Sequence, residues 1–224
     1  MAKHYGYKNG DTVAGQIVRM ILDGRLRAGD RIDRNAIAAL EGVSRAPVQE
    51  ALIQLEREGL VTTRYHRGAF VEALDAEAIR DHYSVWALLN GEAAARAAAV
   101  ADPELTADLG AVLEAMEGCD DPDEFDALGF EFRRLINART AGPRLRATLR
   151  GFLNLMPETF RLMWPDHMKV ILPYYRRVAS AIADSRPDAA RLAEREKSEA
   201  MADLVIAALL DAGVLAPVEP LRVA

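Results

Sequence analysis

The chain is short of cysteine, aromatic residues and long apolar runs. Its 224 residues include a single cysteine, Cys119, and only 6% are aromatic. One thiol cannot build an intrachain disulfide framework or a cysteine-cluster zinc site. Few aromatics beside abundant alanine favour close-packed helices over sheets. No stretch reaches the roughly 18 apolar residues that a membrane-spanning helix needs, so no membrane partner is expected. The opening MAKHYGYKNG has no apolar core and does not read as a secretory signal, which points to a cytoplasmic protein. No nucleophile–base pair, phosphate loop or HExxH-type motif occurs, so the chain carries no catalytic residues that would suggest an enzyme.

What is present is enough for a substantial core, since half of the residues are hydrophobic. The net charge of −6 is unevenly spread. Residues 1–72 carry 11 Lys/Arg against 9 Asp/Glu, a balance of +2; the remainder carries 17 against 25, a balance of −8. A basic module followed by an acidic one suits a chain in which only the first part meets nucleic acid.

The spacing of apolar residues divides the chain in the same place. Residues 1–9 read as a tail. Val13, Ile17, Met20 and Ile21 recur at helical spacing and predict a first helix ending near Asp23-Gly24. A second runs from the N-cap Asp33 to Leu40 and is expected to bury Ile37 and Leu40. A turn at EGVS leads into a third, with Ser44 as N-cap, Pro47 in its first turn, and Val48, Ala51, Leu52 and Leu55 as the buried stripe. Two β-rich segments, LVTTR and GAFVEAL, flank Tyr65-His66-Arg67-Gly68 as a hairpin. Beyond Leu74 six helices are expected, over 75–100, 102–117, 121–140, 143–163, 166–185 and 187–212. They are punctuated by Asp102-Pro103, Asp121-Pro122, Gly142-Pro143, Trp164-Pro165 and Arg186-Pro187. The fold class is therefore mainly α: a winged helix-turn-helix over 10–73 with a small β-hairpin wing, then an antiparallel bundle of six to seven helices over 74–215, then a tail at 216–224.

The first of these modules has the dimensions of a DNA reader, because the major groove admits one helix while an adjacent hairpin reaches the backbone. Arg45, Ala46 and Gln49 lie on the side of the third helix opposite its buried stripe. Arg45 can donate twice to guanine, and Gln49 can pair with adenine. Arg34 opens the second helix within reach of phosphate or a base. Thr62, Thr63, Arg64, His66 and Arg67 would meet the backbone or minor groove from the wing, with Gly68 allowing close approach.

Between Val18 and Val71 the segments ILDGRLRAGDRI, GVSRAPVQEALIQLEREGLV and HRGAFV resemble the GntR family of bacterial transcription regulators. The helical remainder resembles the FCD domain of the FadR subfamily, so the likeness extends over nearly the whole chain. It implies a DNA-binding regulator, expected to be a repressor: a homodimer on a palindromic double-stranded operator, controlled by a small-molecule effector in the bundle. The family's recognition helix usually reads Ser-Arg-Thr-Pro-Val-Arg-Glu; here Ala46 and Gln49 replace the threonine and the second arginine, and Arg34 stands where glutamate is usual.

Most FCD domains hold a divalent ion on an Asp and a His four apart on one helix and on two later histidines. The corresponding positions here carry Gly129, Arg133, Tyr175 and Lys197, so the resemblance implies that this metal site is lost and no cofactor is expected. The histidine count agrees: of four, His4 and His66 fall outside the bundle, and His82 and His167 cannot supply three imidazoles. Arg133 and Lys197 either put fixed positive charge into an effector cavity, with Tyr175 adding a hydrogen bond, or point to solvent. Trp86 and Asn90, where the family often has an Arg and a Glu, would make one wall of that cavity more apolar. The expected effector is an organic acid or a larger, partly apolar metabolite. His167 reads as a solvent-facing helix start, and the acidic run from Asp120 to Asp126 as a solvated helix N-terminus. An architectural DNA binder with no effector is the alternative.

Overall fold

The computed structural model describes residues 12–150, 152 and 167–215. The tails expected at 1–9 and 216–224, and most of the helix expected beyond residue 150, lie outside the described residues.

The amino-terminal part contains α1 (Val13–Leu22), β1 (Arg31–Ile32), α2 (Arg34–Glu41), α3 (Arg45–Arg57), β2 (Val61–Arg64) and β3 (Gly68–Val71). Thr12 caps α1 by accepting from the Gly15 amide at 3.1 Å, and Asp33 caps α2 by accepting from the amides of Asn35 and Ala36 at 2.8 and 3.3 Å. Gly42 ends α2 in the left-handed conformation, at φ 65°, which permits the sharp turn into α3. Ile17, Val18 and Ile21 of α1 close over Ile37 of α2 and Val48, Leu52 and Leu55 of α3. Each such buried aliphatic side chain contributes about 1.5–3 kcal/mol, which holds three short helices that propensity alone would not.

Two details differ from the sequence reading. Leu40 is 62% exposed, and Ala38 is buried beside Ile37 instead, because an eight-residue helix buries one narrow stripe and Leu40 falls outside it. Ser44 occupies the N-cap position of α3, but its side chain makes no cap bond. The wing is also larger than a hairpin. β3 is the central strand of a three-stranded antiparallel sheet in the order β1-β3-β2, with Arg31 opposite Phe70 and Thr63 opposite Ala69.

The rest of the described chain is helical: α4 (Ala76–Val100), α5 (Pro103–Glu117), α6 (Pro122–Thr140), α7 (Pro143–Arg150), α8 (His167–Ala183) and α9 (Pro187–Asp211). Asp75, Asp102 and Asp121 cap α4, α5 and α6, and Pro begins α5, α6, α7 and α9. α9 lies antiparallel along α4, as the Arg80–Asp203 and Arg191–Glu92 ion pairs at the two ends of that contact require. Arg139 near the end of α6 reaches Asp102 and Asp108 at the start of α5, so these two helices are antiparallel as well. α6 and α8 instead run in the same sense, with Asp126 against His167 and Arg133 against Tyr175. These two helices bring Arg133, His167 and Tyr175 together inside the bundle.

Candidate nucleic-acid interface and buried polar site

The start of α2, the start of α3 and the wing enclose one continuous groove. Its larger part, about 800 Å³, is lined by Arg31, Asp33, Arg34, Arg45, Ala46, Gln49 and Gly68 among others. The part nearer the wing, about 290 Å³, adds Thr63, Arg64 and His66 while sharing Arg31, Arg34, Gln49 and Gly68. Arg45 and Ala46 are exposed and Gln49 half-buried, as their side of α3 requires. Ser44 and Arg67 are exposed beside the groove and do not line it.

Local contacts hold several of these groups in place before any partner arrives. Arg34 Nη1 donates to Gln49 Oε1 at 2.6 Å, joining α2 to α3 across the groove floor. The Arg64 guanidinium stands 4.8 Å from the centre of the Phe70 ring. His66 takes a positive φ of 56° at the wing tip, with the Tyr65 ring tilted 59° against it at 3.9 Å between ring centres. Asp33 is the one acidic group among these lining residues. The amides of Asn35 and then Ala36 hold its carboxyl below the ordinary carboxylate range, with Arg31 and Arg45 adding to the effect.

Arg31 is the groove residue that sequence reading passed over. It reaches the site because β1 joins the wing sheet, and its Nε lies 3.1 Å from where a side chain on Gly68 would begin. The signal was available: an Arg-Ile pair just before an N-cap aspartate alternates exposed and buried as an edge strand does.

In the bundle, Gly129, Arg133, Tyr175 and Lys197 come together. The Tyr175 hydroxyl fills the space above Gly129, 2.5 Å from where a Cβ would stand. Arg133 Nη1 donates to that hydroxyl at 3.1 Å, and Lys197 Nζ lies 4.5 Å from the Tyr175 ring centre. Lys197 also donates to Glu194 Oε1 at 2.7 Å, both side chains being buried. Burial pulls the Lys197 ammonium down from its ordinary pKa while Glu194 opposes the shift, and burial pushes the Tyr175 hydroxyl up. This donor set does not fit a divalent cation: one position has no side chain, two carry ammonium or guanidinium groups, and the fourth is a phenol kept protonated.

The solvent-facing reading of Arg133 and Lys197 is overturned, since both are buried. So is that of His167. It is 1% exposed, and its Nε2 lies 3.0 Å from Asp126 Oδ1, so Asp126 is likewise no solvated helix-start residue. Burial raises the Asp126 carboxyl against the opposing pull of His167. Trp86 and Asn90 are both buried, and Asn90 Nδ2 is committed to the Trp86 carbonyl at 3.0 Å. A cavity of about 280 Å³ opens between α4, α6 and α7, lined by Trp86, Phe130, Arg133, Asn137, Arg146, Arg150 and neighbours. Asn90, Tyr175 and Lys197 are not among its lining residues; Tyr175 holds Arg133 from behind, and Lys197 lies against the Tyr175 ring. Asn137, Glu194, Arg146 and Arg150 were missed because nothing in their local pattern marks them off from ordinary helix-surface residues.

A helix-turn-helix with a three-stranded wing and a row of guanidiniums, followed by a helical domain, defines the class of DNA-binding transcription regulators. The model for bacterial regulatory proteins of the gntR family matches residues 9–71, and the FCD domain model matches residues 81–197. The chain belongs to the gntR family and carries an FCD domain. It is 44% identical to an uncharacterised HTH-type transcriptional regulator of Mycobacterium tuberculosis, over 98% of this chain and 90% of that protein. The gluconate operon transcriptional repressor of Bacillus subtilis is 34% identical over 52% of this chain and 49% of its own length. Among solved structures, E. coli McbR/YncC shares the fold with a TM-score of 0.62 at 18% identity, covering 86% of this chain and 94% of that one. A GntR family regulator from Pseudomonas syringae gives 0.55 at 24% identity, covering 89% and 87%.

Proposed function

We propose that this transcription regulator is a cytoplasmic repressor that binds a palindromic operator as a homodimer and is released by an organic acid held in its FCD domain. The observation that carries the DNA half is the groove: Arg31, Arg34, Arg45 and Arg64 converge on it, against Asp33 alone on the acidic side. In this reading Arg45 reads guanine, Arg34 held in place by Gln49 reads the adjacent base, and Thr63, Arg64, His66 and the exposed Ser44 and Arg67 meet the phosphates. Gly68 keeps the wing backbone close to the duplex.

The effector half is supported by buried positive charge beside a cavity, with Arg133 at the boundary and Trp86 as an apolar wall. We read the site as metal-free, because protein cations stand where relatives place an ion.

Selection of bound fragments from a genomic library, followed by binding at several salt concentrations, tests the first half. Neutralising several phosphates per dimer makes affinity fall steeply with salt. Arg45→Ala is expected to erase sequence preference while leaving most nonspecific affinity. Full operator discrimination by that variant would refute the assignment of α3. Sedimentation at micromolar concentration tests the dimer. A melting shift with some member of an organic-acid panel separates an effector-controlled regulator from an architectural binder, which would show none.

A further inference from the structure

We propose that the cavity between α4, α6 and α7 is an anion site that accepts a carboxylate carried on a single ring, using protein cations alone. The proposal deepens the effector reading above and rests on it for its consequence at the operator.

Of the four guanidiniums lining this cavity, Arg134 is held by Glu131, and the other three make no ion pair among the described residues. Elsewhere in the bundle Arg80, Arg96, Arg139, Arg176 and Arg177 each hold a carboxylate. Arg146 and Arg150 line the cavity, and among the described residues neither makes an ion pair and no carboxylate lines the cavity with them. Arg133 is the deepest of the three, 5% exposed, and its Nη2 is sealed from solvent without a hydrogen-bond partner. A buried guanidinium with an idle donor is costly to maintain, and an anion brought to it offsets that cost.

The surroundings select the form of the anion. The Arg133 guanidinium lies 4.6 Å from the Phe130 ring centre and 5.6 Å from that of Trp86, so aromatic faces hold it and its N–H edge is what remains to bind. Nη1 is committed to Tyr175, and a small pivot of the planar guanidinium about that bond would bring Nη2 to a ligand oxygen. Asn137 Oδ1 is also buried without a partner; with its amide turned end for end, the nitrogen would donate to the same anion. Trp86, Phe130 and Leu149 supply flat apolar walls for a ring. At about 280 Å³ the cavity sits at the small end of ligand pockets, too small for a nucleotide or a long acyl chain.

The test is calorimetric titration of the full-length protein with benzoate in the presence of EDTA, with benzamide and inorganic phosphate as controls. Benzoate is expected to bind, and both controls to bind at least about tenfold more weakly, since the amide lacks the charge and phosphate lacks the ring. Arg146→Gln and Arg150→Gln alter exposed side chains and should fold normally, each weakening benzoate several-fold. Arg133→Gln, checked by circular dichroism, should abolish binding. Failure of benzoate to bind, equal binding of either control, dependence on an added metal ion, or unchanged binding in both exposed variants would each overturn the site. Operator affinity measured alongside keeps the two readings separate. Benzoate binding that leaves operator affinity unchanged would keep the site and reject its role as the effector pocket. Operator release that survives both substitutions would keep effector control and overturn this cavity as its seat.

Discussion

If Gln49 acts by holding Arg34, the two residues should contribute to operator recognition as one unit, and a double-mutant cycle can measure this. The structure sets the scale. The Arg34–Gln49 bond is short, 2.6 Å, but Arg34 is exposed and Gln49 half-buried, so in the free protein it contributes only about 0.5 kcal/mol. Against a duplex the groove is drained of water, and the same bond then fixes a guanidinium whose bidentate contact with a base is worth about 1–3 kcal/mol. Arg34→Ala should therefore weaken the selected operator about ten- to hundredfold. Gln49→Ala, which leaves the cation but frees it, should cost about 1 kcal/mol, near fivefold. In the Arg34→Ala background the second substitution should cost almost nothing, giving a coupling of about 1 kcal/mol. Fluorescence anisotropy with the operator and a scrambled duplex, at one fixed salt concentration, reads all four corners of the cycle. If the two losses simply add, to within about 0.3–0.5 kcal/mol, Gln49 reads DNA independently of Arg34 and the argument fails.

Gly129→Ala would drive a methyl to 2.5 Å from the Tyr175 hydroxyl and push it away from Arg133, so chemical denaturation should show a loss of about 1–3 kcal/mol. A variant of unchanged stability would mean that Tyr175 does not stand over this helix. His82 is held by burial at a pKa of about 4, against an ordinary value of 6.5. In the window between those values the unfolded chain binds more protons, so stability falls as the pH is lowered from about 6.5 to 4, by up to about 3 kcal/mol from this group. His82→Phe, which keeps an aromatic ring against Phe152, should lose that part of the pH dependence; equal drops for both proteins between pH 7 and 4.5 would place the imidazole in solvent.

Helix starts were the most legible part of the chain. An aspartate followed by proline announces both a cap and a first turn, and Asp102 and Asp121 hold the amides two residues on at 3.0 and 2.9 Å. The buried stripe of α3 was equally plain, since Val48, Leu52 and Leu55 recur at a helical period and all lie in the core. Pairings between distant segments were hidden. His167 and Asp126 are 41 residues apart, and each alone resembles a surface residue at a helix start. Arg31 looked like a linker residue until β1 joined the wing, and Leu40 looked like core because its spacing, but not its position on a short helix, fits burial. Among the candidate effector residues, Arg133, Tyr175 and Lys197 pack together in the bundle, as positions the family likeness had grouped. Which of them would face a cavity depended on how α6 and α7 each pack on α4, which spacing along the chain does not encode.

The small residues of α4 let its neighbour approach closely. At Gly91 the backbone comes so near its neighbour that an added methyl would sit 3.2 Å from the Arg191 side chain and 3.4 Å from its carbonyl oxygen. At that point the two helices meet backbone to backbone, while farther along the same pair a hollow of about 610 Å³ opens, lined by Arg80, Tyr83, Leu88, Arg195 and Glu199 among others. Enlarging Gly91 would therefore prise the two helices apart at their tightest point and reshape the hollow beside it, without touching the residues that line the cavity at Arg133.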